Sequence, residues 1–217
     1  PVVVPSRHRP PVPPNLTHRV VITPTGVTVD GEQMECQTSG KGLLTELYKK
    51  AVGDYPRYYK MDMLSRLGFI ASELLIQREQ HERGSWGQVH DPDLGQATCP
   101  YDPEHRAVVL FNHSSSWHTD KAFQESISDV ENYYPSPALF VYTLPNIVTG
   151  EIAIRNGYHG ETSFQILSSR DATLMAQIQQ AALCDEMTDS MITGWLDYQD
   201  ETHFEADLCI LESRIKS

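Results

Sequence analysis

The stretch from Tyr134 to Asp171, YPSPALFVYTLPNIVTGEIAIRNGYHGETSFQILSSRD, follows no single period. A chain that carries it must pack a turn, a helix, a strand and a second helix in quick succession. Pro135 and Pro137 punctuate the turn, and Ala138 to Tyr142 is a short apolar, aromatic run. Asn146 is placed to cap a helix of about ten residues, with Ile147, Val148, Ile152 and Ile154 at helical intervals and Arg155-Asn156-Gly157 as its stop signal. Thr162 to Leu167 has strand character and runs into Ser168-Ser169-Arg170-Asp171, where a further helix begins.

The flanks continue the alternation. Residues 1–16 hold six of the fourteen prolines and read as a polyproline-like or disordered arm, leaving 17–217 as one domain. His18 to Val29 reads as a strand with a Pro-Thr-Gly interruption, Gly31 to Gly42 as a polar loop, and Leu43 to Val52 as a short amphipathic helix. Tyr55 to Gln77 carries Met61, Leu64, Leu67, Ile70, Ala71, Leu74 and Leu75 on one broad helical face, which is the pattern of core. His81 to Asp102, rich in Gly, His, Asp and Pro, reads as a surface insertion. Ala107 to Phe111 is a continuous apolar run suited to a strand buried on both faces. Ser115 to Val130 looks helical, capped by Thr119 or Asp120, Ala172 to Ala182 forms a helix, and Ser190 to Leu196 and Ala206 to Glu212 close the chain as strands. The expectation is an α/β fold with a mixed five-stranded sheet covered by helices.

Bulk properties exclude several classes. A net charge of −12 argues against a nucleic-acid binder, because phosphate affinity needs clustered Lys and Arg. Lys41, Lys49, Lys50, Arg57 and Lys60 are the one basic concentration, and would serve as a docking patch for an acidic partner if left unpaired. Cys36, Cys99, Cys184 and Cys209 are widely spaced, without a CxxC unit, and read as reduced thiols. No long apolar run or signal-peptide pattern is present, so a cytoplasmic location away from membranes is expected.

The order of features from Tyr134 to Asp171 resembles the β-ketoacyl-acyl carrier protein synthases, the thiolase-fold condensing enzymes of fatty acid and polyketide synthesis. There a Pro-rich turn leads into a helix with Asn, Gly and a basic residue, then a Gly-Pro pair, a buried strand and an elbow carrying the catalytic cysteine. Here Gly160-Glu161 stands at the Gly-Pro pair, and an ungapped count places Ser169 at the cysteine. The same count puts Asp189 at the family's Asp before the next strand, and Gly194 at the first of two glycines, with Trp195 replacing the second. Arg19-Val20-Val21-Ile22-Thr23 and Gly26 preserve the order of the family's first strand. The resemblance implies one half of a thiolase fold, which those enzymes use twice in tandem, and a chain without the second half's histidine motifs.

Two functions follow from these readings. In the first, the chain is a non-catalytic or conditionally catalytic homologue, comparable to chain-length factors that have lost the cysteine. It would belong to fatty acid, polyketide or aryl-polyene-type synthesis and pair as a homodimer, or with a cysteine-bearing synthase and its acyl carrier protein. The resemblance places dimer pairing on the strand Thr162 to Leu167. In the second, Ser169 with His113 or His159 is an acyltransferase or thioesterase, or His113, His118 and Asp120 hold a metal. No organic cofactor is expected under either.

Overall fold

The computed structural model describes residues 14–84, 102–129, 131 and 133–213. The first thirteen residues of the Pro-rich arm and most of the insertion after α2 lie outside the described residues. The sheet is built around β4 (Arg106–Asn112), all of whose residues are buried. It pairs in parallel with β5 (Thr162–Ile166) on one side and β6 (Ser190–Asp200) on the other. The antiparallel β7 (His203–Glu212) follows β6, and β1 (Asn15–Thr23) pairs antiparallel with β7. Two short strands, β2 (Gly26–Val29) and β3 (Glu32–Met34), extend the sheet beyond β1, giving the order β3-β2-β1-β7-β6-β4-β5.

Alternate residues of β4 and β6 enter two separate cores. Val108, Leu110, Ile192, Leu196 and Tyr198 pack beneath α1 (Lys41–Ala51), α2 (Met63–Gly84) and α5 (Ile147–Asn156). Ala107, Val109, Phe111, Met191 and Trp195 pack on the opposite face beneath α6 (Ala172–Leu183). This two-sided cover is why the strand reads as an unbroken apolar run. The short helices α3 (Trp117–Ser126) and α4 (Pro137–Val141) lie in the connection that leaves the carboxyl end of β4.

The α/β class and the five expected strands are present, and the sheet has seven strands where five were expected. The single strand over His18–Val29 is a hairpin, because Pro24 and Thr25 turn the chain and Ile22 faces Val27. The polar segment after Gly31 contains β3. Asn15 and Leu16, assigned to the arm, pair with Glu212 and Leu211 and belong to the domain. The helix over Tyr55–Gln77 begins as a 3-10 turn at Pro56–Lys60, and α2 proper starts after Asp62, whose Oδ1 accepts from Ser65 N–H at 2.9 Å. Thr119 and Asp120 lie inside α3, and Ser116 occupies its cap position. Asn146 precedes α5 but makes no side-chain capping bond, and Gly157 ends that helix as expected.

Candidate functional site

The elbow that follows β5 is the candidate site. Leu167 N–H donates to the Asn112 carbonyl at 2.8 Å, which keeps the strand on β4 to its last residue. Asp171 then caps α6, its Oδ1 accepting from Thr173 N–H at 2.9 Å and Leu174 N–H at 3.0 Å. Ser168, Ser169 and Arg170 span the gap between these two anchors and are exposed. Ser169 Oγ makes no hydrogen bond to a described residue.

Arg170 ties the elbow to β7. Its Nη1 donates to Glu205 Oε1 at 2.7 Å and its Nη2 to Asp207 Oδ2, while its guanidinium lies 5.8 Å from the Trp195 ring. Asp207 is clamped from the other side by Arg19, through Nε at 2.7 Å and Nη2 at 2.8 Å. Burial is the largest single influence on Asp207 and pushes its carboxyl up, but hydrogen bonds from Arg19 and Arg170 together hold it below its ordinary value. The Cys209 thiol is pushed to about 12 by burial, reinforced by the Asp207 carboxylate, so no thiolate is available next to this network.

Glycine is required on both sides of β4. A Cβ at Gly160 would run into the Arg106 carbonyl, and one at Gly194, where φ is 142°, would run into the Asp207 carbonyl. Trp195 meets no such obstacle and fills the α6 core. Asp189 precedes β6 and holds the end of β4, its N–H donating to the His105 carbonyl at 2.9 Å and its carboxylate 3.2 Å from His105 Nδ1.

His113 and His159, the two histidines considered as a base for Ser169, lie at opposite ends of β5. His113 stands at the carboxyl end of β4, where its Nδ1–H donates to the Leu167 carbonyl at 3.0 Å; in the neutral form this leaves Nε2 as the acceptor. It is therefore the histidine that shares an end with Ser169. His159 lies before β5, with its N–H on the Pro103 carbonyl, and the strand of about 16 Å separates it from the elbow. That removes His159 as a base for Ser169.

The metal expectation at His113, His118 and Asp120 is corrected by the same geometry. His118 stands edge-on to Tyr198 with centroids 5.0 Å apart, and Asp120 accepts from Ser116 Oγ at 3.0 Å, so the three groups have separate partners. Among the described residues, the one set of three ligand atoms close together is His18, Asp30 and Glu82. Arg78 already lies 3.0 Å from Asp30 and 3.4 Å from Glu82, supplying the cation that those carboxylates need. The basic concentration is also largely spent, since Lys41 pairs with Glu201, Lys50 with Glu46 and Arg57 with Glu151.

Sequence patterns gave no hint of Asp197. Its Oδ1 accepts from Ser114 Oγ at 2.6 Å and Ser114 N–H at 3.0 Å, which fixes the loop that carries His113. The contact joins residues on β6 and after β4, and no local spacing encodes it.

No protein-family model and no curated protein matches the sequence. Solved structures do match it in three dimensions. A structure described as the ishigamide ketosynthase/chain length factor superimposes with a TM-score of 0.60 at 15% identity, over 95% of this chain and 63% of that one. The fold is thiolase-like. A ketosynthase (ApeO) in complex with its chain length factor (ApeC) from Xenorhabdus doucetiae matches with a TM-score of 0.56 at 11% identity, over 93% of this chain and 79% of that one. A type II polyketide synthase acyl-carrier protein in complex with its ketosynthase bound to the hexaketide, AntDE:AntF, matches with a TM-score of 0.55 at 11% identity, over 94% of this chain and 59% of that one. The chain thus spans less than two thirds of the ishigamide and AntDE:AntF chains it matches. Among the described residues, no helix is long and apolar enough to cross a membrane.

Proposed function

We propose that this chain is a non-catalytic, chain-length-factor-like partner of a cysteine-bearing ketosynthase, acting in polyketide, fatty acid or aryl-polyene-type synthesis in the cytoplasm. The observation that carries the proposal is the elbow. Ser169 stands at the cysteine position of the resemblance with an unassisted hydroxyl, and its neighbour Arg170 is committed to Glu205, Asp207 and Trp195. A thiolate nucleophile needs a lowered pKa or an adjacent base, and this elbow offers neither to its serine.

Two surfaces support a partner chain. β5 ends the sheet, leaving one edge without a strand among the described residues, and Ile166 on it is 54% exposed. The helix α6 that follows, ATLMAQIQQAAL, has no charged residue, yet Leu174 on it is 39% exposed. An uncharged helix beside an open strand edge fits a partner's apolar surface better than water. In this reading the chain is one thiolase-type half, and a homodimer or a heterodimer with the synthase forms through β5. An acyl carrier protein then delivers the acyl thioester to the synthase subunit.

Light scattering on the chain alone, and mixed with a cysteine-bearing ketosynthase, tests the association. The expected result is a stable dimer or a mixed complex, with Ile166→Asp weakening it by about tenfold or more. Monomers in both samples would overturn the proposal.

A second reading is favoured by one contact, the His113 Nδ1–H bond to the Leu167 carbonyl, which holds the imidazole at the end of the sheet where Ser169 lies. In that reading Ser169 takes an acyl group, as in an acyltransferase or thioesterase, and His113 accepts its proton.

A further inference from the structure

The connection between β4 and α5 carries an apolar face that no described element covers. Trp117 at the start of α3 is 60% exposed and Phe140 on α4 is 56% exposed, with Val141 and Leu144 also open to solvent. Two contacts make them one surface. The Phe123 and Phe140 rings lie 5.6 Å apart, and Ser116 Oγ donates to the Thr143 carbonyl, so the residues that follow each, Trp117 and Leu144, meet at the same junction of α3 and α4. The rim is acidic. Glu125, Asp129 and Glu131 are exposed and make no ion pair among the described residues, and Lys121 is the one Lys or Arg between Trp117 and Leu144. Single exposed apolar residues need no partner, but a contiguous aromatic face marks an interaction surface.

We propose that this face receives residues 1–13, PVVVPSRHRPPVP, of a second copy of the chain. That segment holds five prolines and the cations Arg7 and Arg9 and no acidic residue, so its charge complements the acidic rim. A polyproline helix has three residues per turn, a period that puts Arg7, Pro10 and Pro13 on one edge. Proline-rich segments of this spacing dock on aromatic surfaces because they have little conformational freedom left to lose, and a guanidinium is attracted to an indole face. The segment cannot seat itself on its own chain. Asn15 pairs with Glu212, which pairs in turn with Ser190 at the start of β6, whereas His118 of α3 lies against Tyr198 near the other end of that strand. From Ser190 to Tyr198 the strand spans about 26 Å, while Arg7, seven residues before Pro14, reaches only about 22 Å as a polyproline helix. A second copy is free of that restriction. The contact is separate from the β5 edge and does not depend on that edge being paired.

A fluorescently labelled peptide of residues 1–13, titrated into the full chain at low salt and read by anisotropy, tests the proposal. Saturable binding is expected. It weakens about fivefold or more with Trp117→Ala or Phe140→Ser in the chain, and likewise with Arg7→Glu and Arg9→Glu together in the peptide. The peptide variant leaves the folded chain untouched, so a signal lost there cannot come from unfolding. No saturable binding, or an affinity that none of these changes alters, would overturn the proposal. A Trp117→Ala chain that binds the peptide like wild type but loses affinity for a ketosynthase would overturn it too, because the face would then belong to that partner.

Discussion

The two faces of the sheet are finished by different means. Beneath α1, α2 and α5 the cover is mainly apolar, from Leu43 and Leu47 through Leu67 and Ile70 to Val148 and Ile152, all fully buried, with the Arg106–Glu79 ion pair enclosed in it. Beneath α6 the apolar core extends only over β4 and β6 and the nearby Leu211. Over β7 and β1 that second face is closed by the charge ladder Arg19–Asp207–Arg170–Glu205. The first face is a closed core, whereas the second is an elbow and an ion-pair network beside an uncharged helix.

The contrast can be broken most severely at the buried ion pair of the α2 face. Arg106, 2% exposed, is held through both terminal nitrogens by Glu79 at 2.8 Å each, and also donates to Ser190 Oγ. Removing the carboxylate in Glu79→Ala strands a buried cation and is expected to cost about 3–5 kcal/mol, read by urea denaturation. Leu67→Ala, at a fully buried position of α2, is expected to cost about 2–5 kcal/mol in the same assay. A cost below about 1 kcal/mol for either would contradict the account of that face.

On the α6 face the effects are smaller and depend on pH. Because the Asp207 carboxyl lies below its ordinary value in the folded chain, its contribution is present above the unfolded-state value near 3.9. It is lost as pH falls through the lower, folded-state value. Asp207→Asn should therefore flatten the acid limb of the stability curve below about pH 4 and leave the region near neutrality parallel to wild type. Arg170→Ala, which removes partly exposed pairs, should cost no more than about 1 kcal/mol, yet free the elbow to move. That mobility is read as faster amide exchange at Ser168 and Ser169.

The sequence made the first face legible and the second only in outline. The period of α2, the apolar run of β4, and the stop at Gly157 are local signals, and each sits where the pattern places it. The β2–β3 turn was also signposted by Asp30-Gly31, whose positive φ values of 50° and 83° suit a tight hairpin, but the short polar strand beyond it lacks alternation. The charge ladder joins positions 19, 170, 205 and 207, and Asp197 serves a loop more than eighty residues earlier. Such pairings depend on strand order, which no single stretch of sequence states. Asn146 does stand at the N-cap of α5, without a side-chain bond, whereas Thr119 and Asp120 lie inside α3, since a capping residue type fixes a helix start only when its side chain turns back onto the first turn.

The most direct test of the central claim is intact mass spectrometry of this chain after incubation with an acyl thioester, alone and together with a cysteine-bearing ketosynthase. The account predicts that the acyl mass appears on the synthase and that this chain keeps its unmodified mass. An acyl adduct on this chain that maps to Ser169, and disappears in Ser169→Ala, would contradict it.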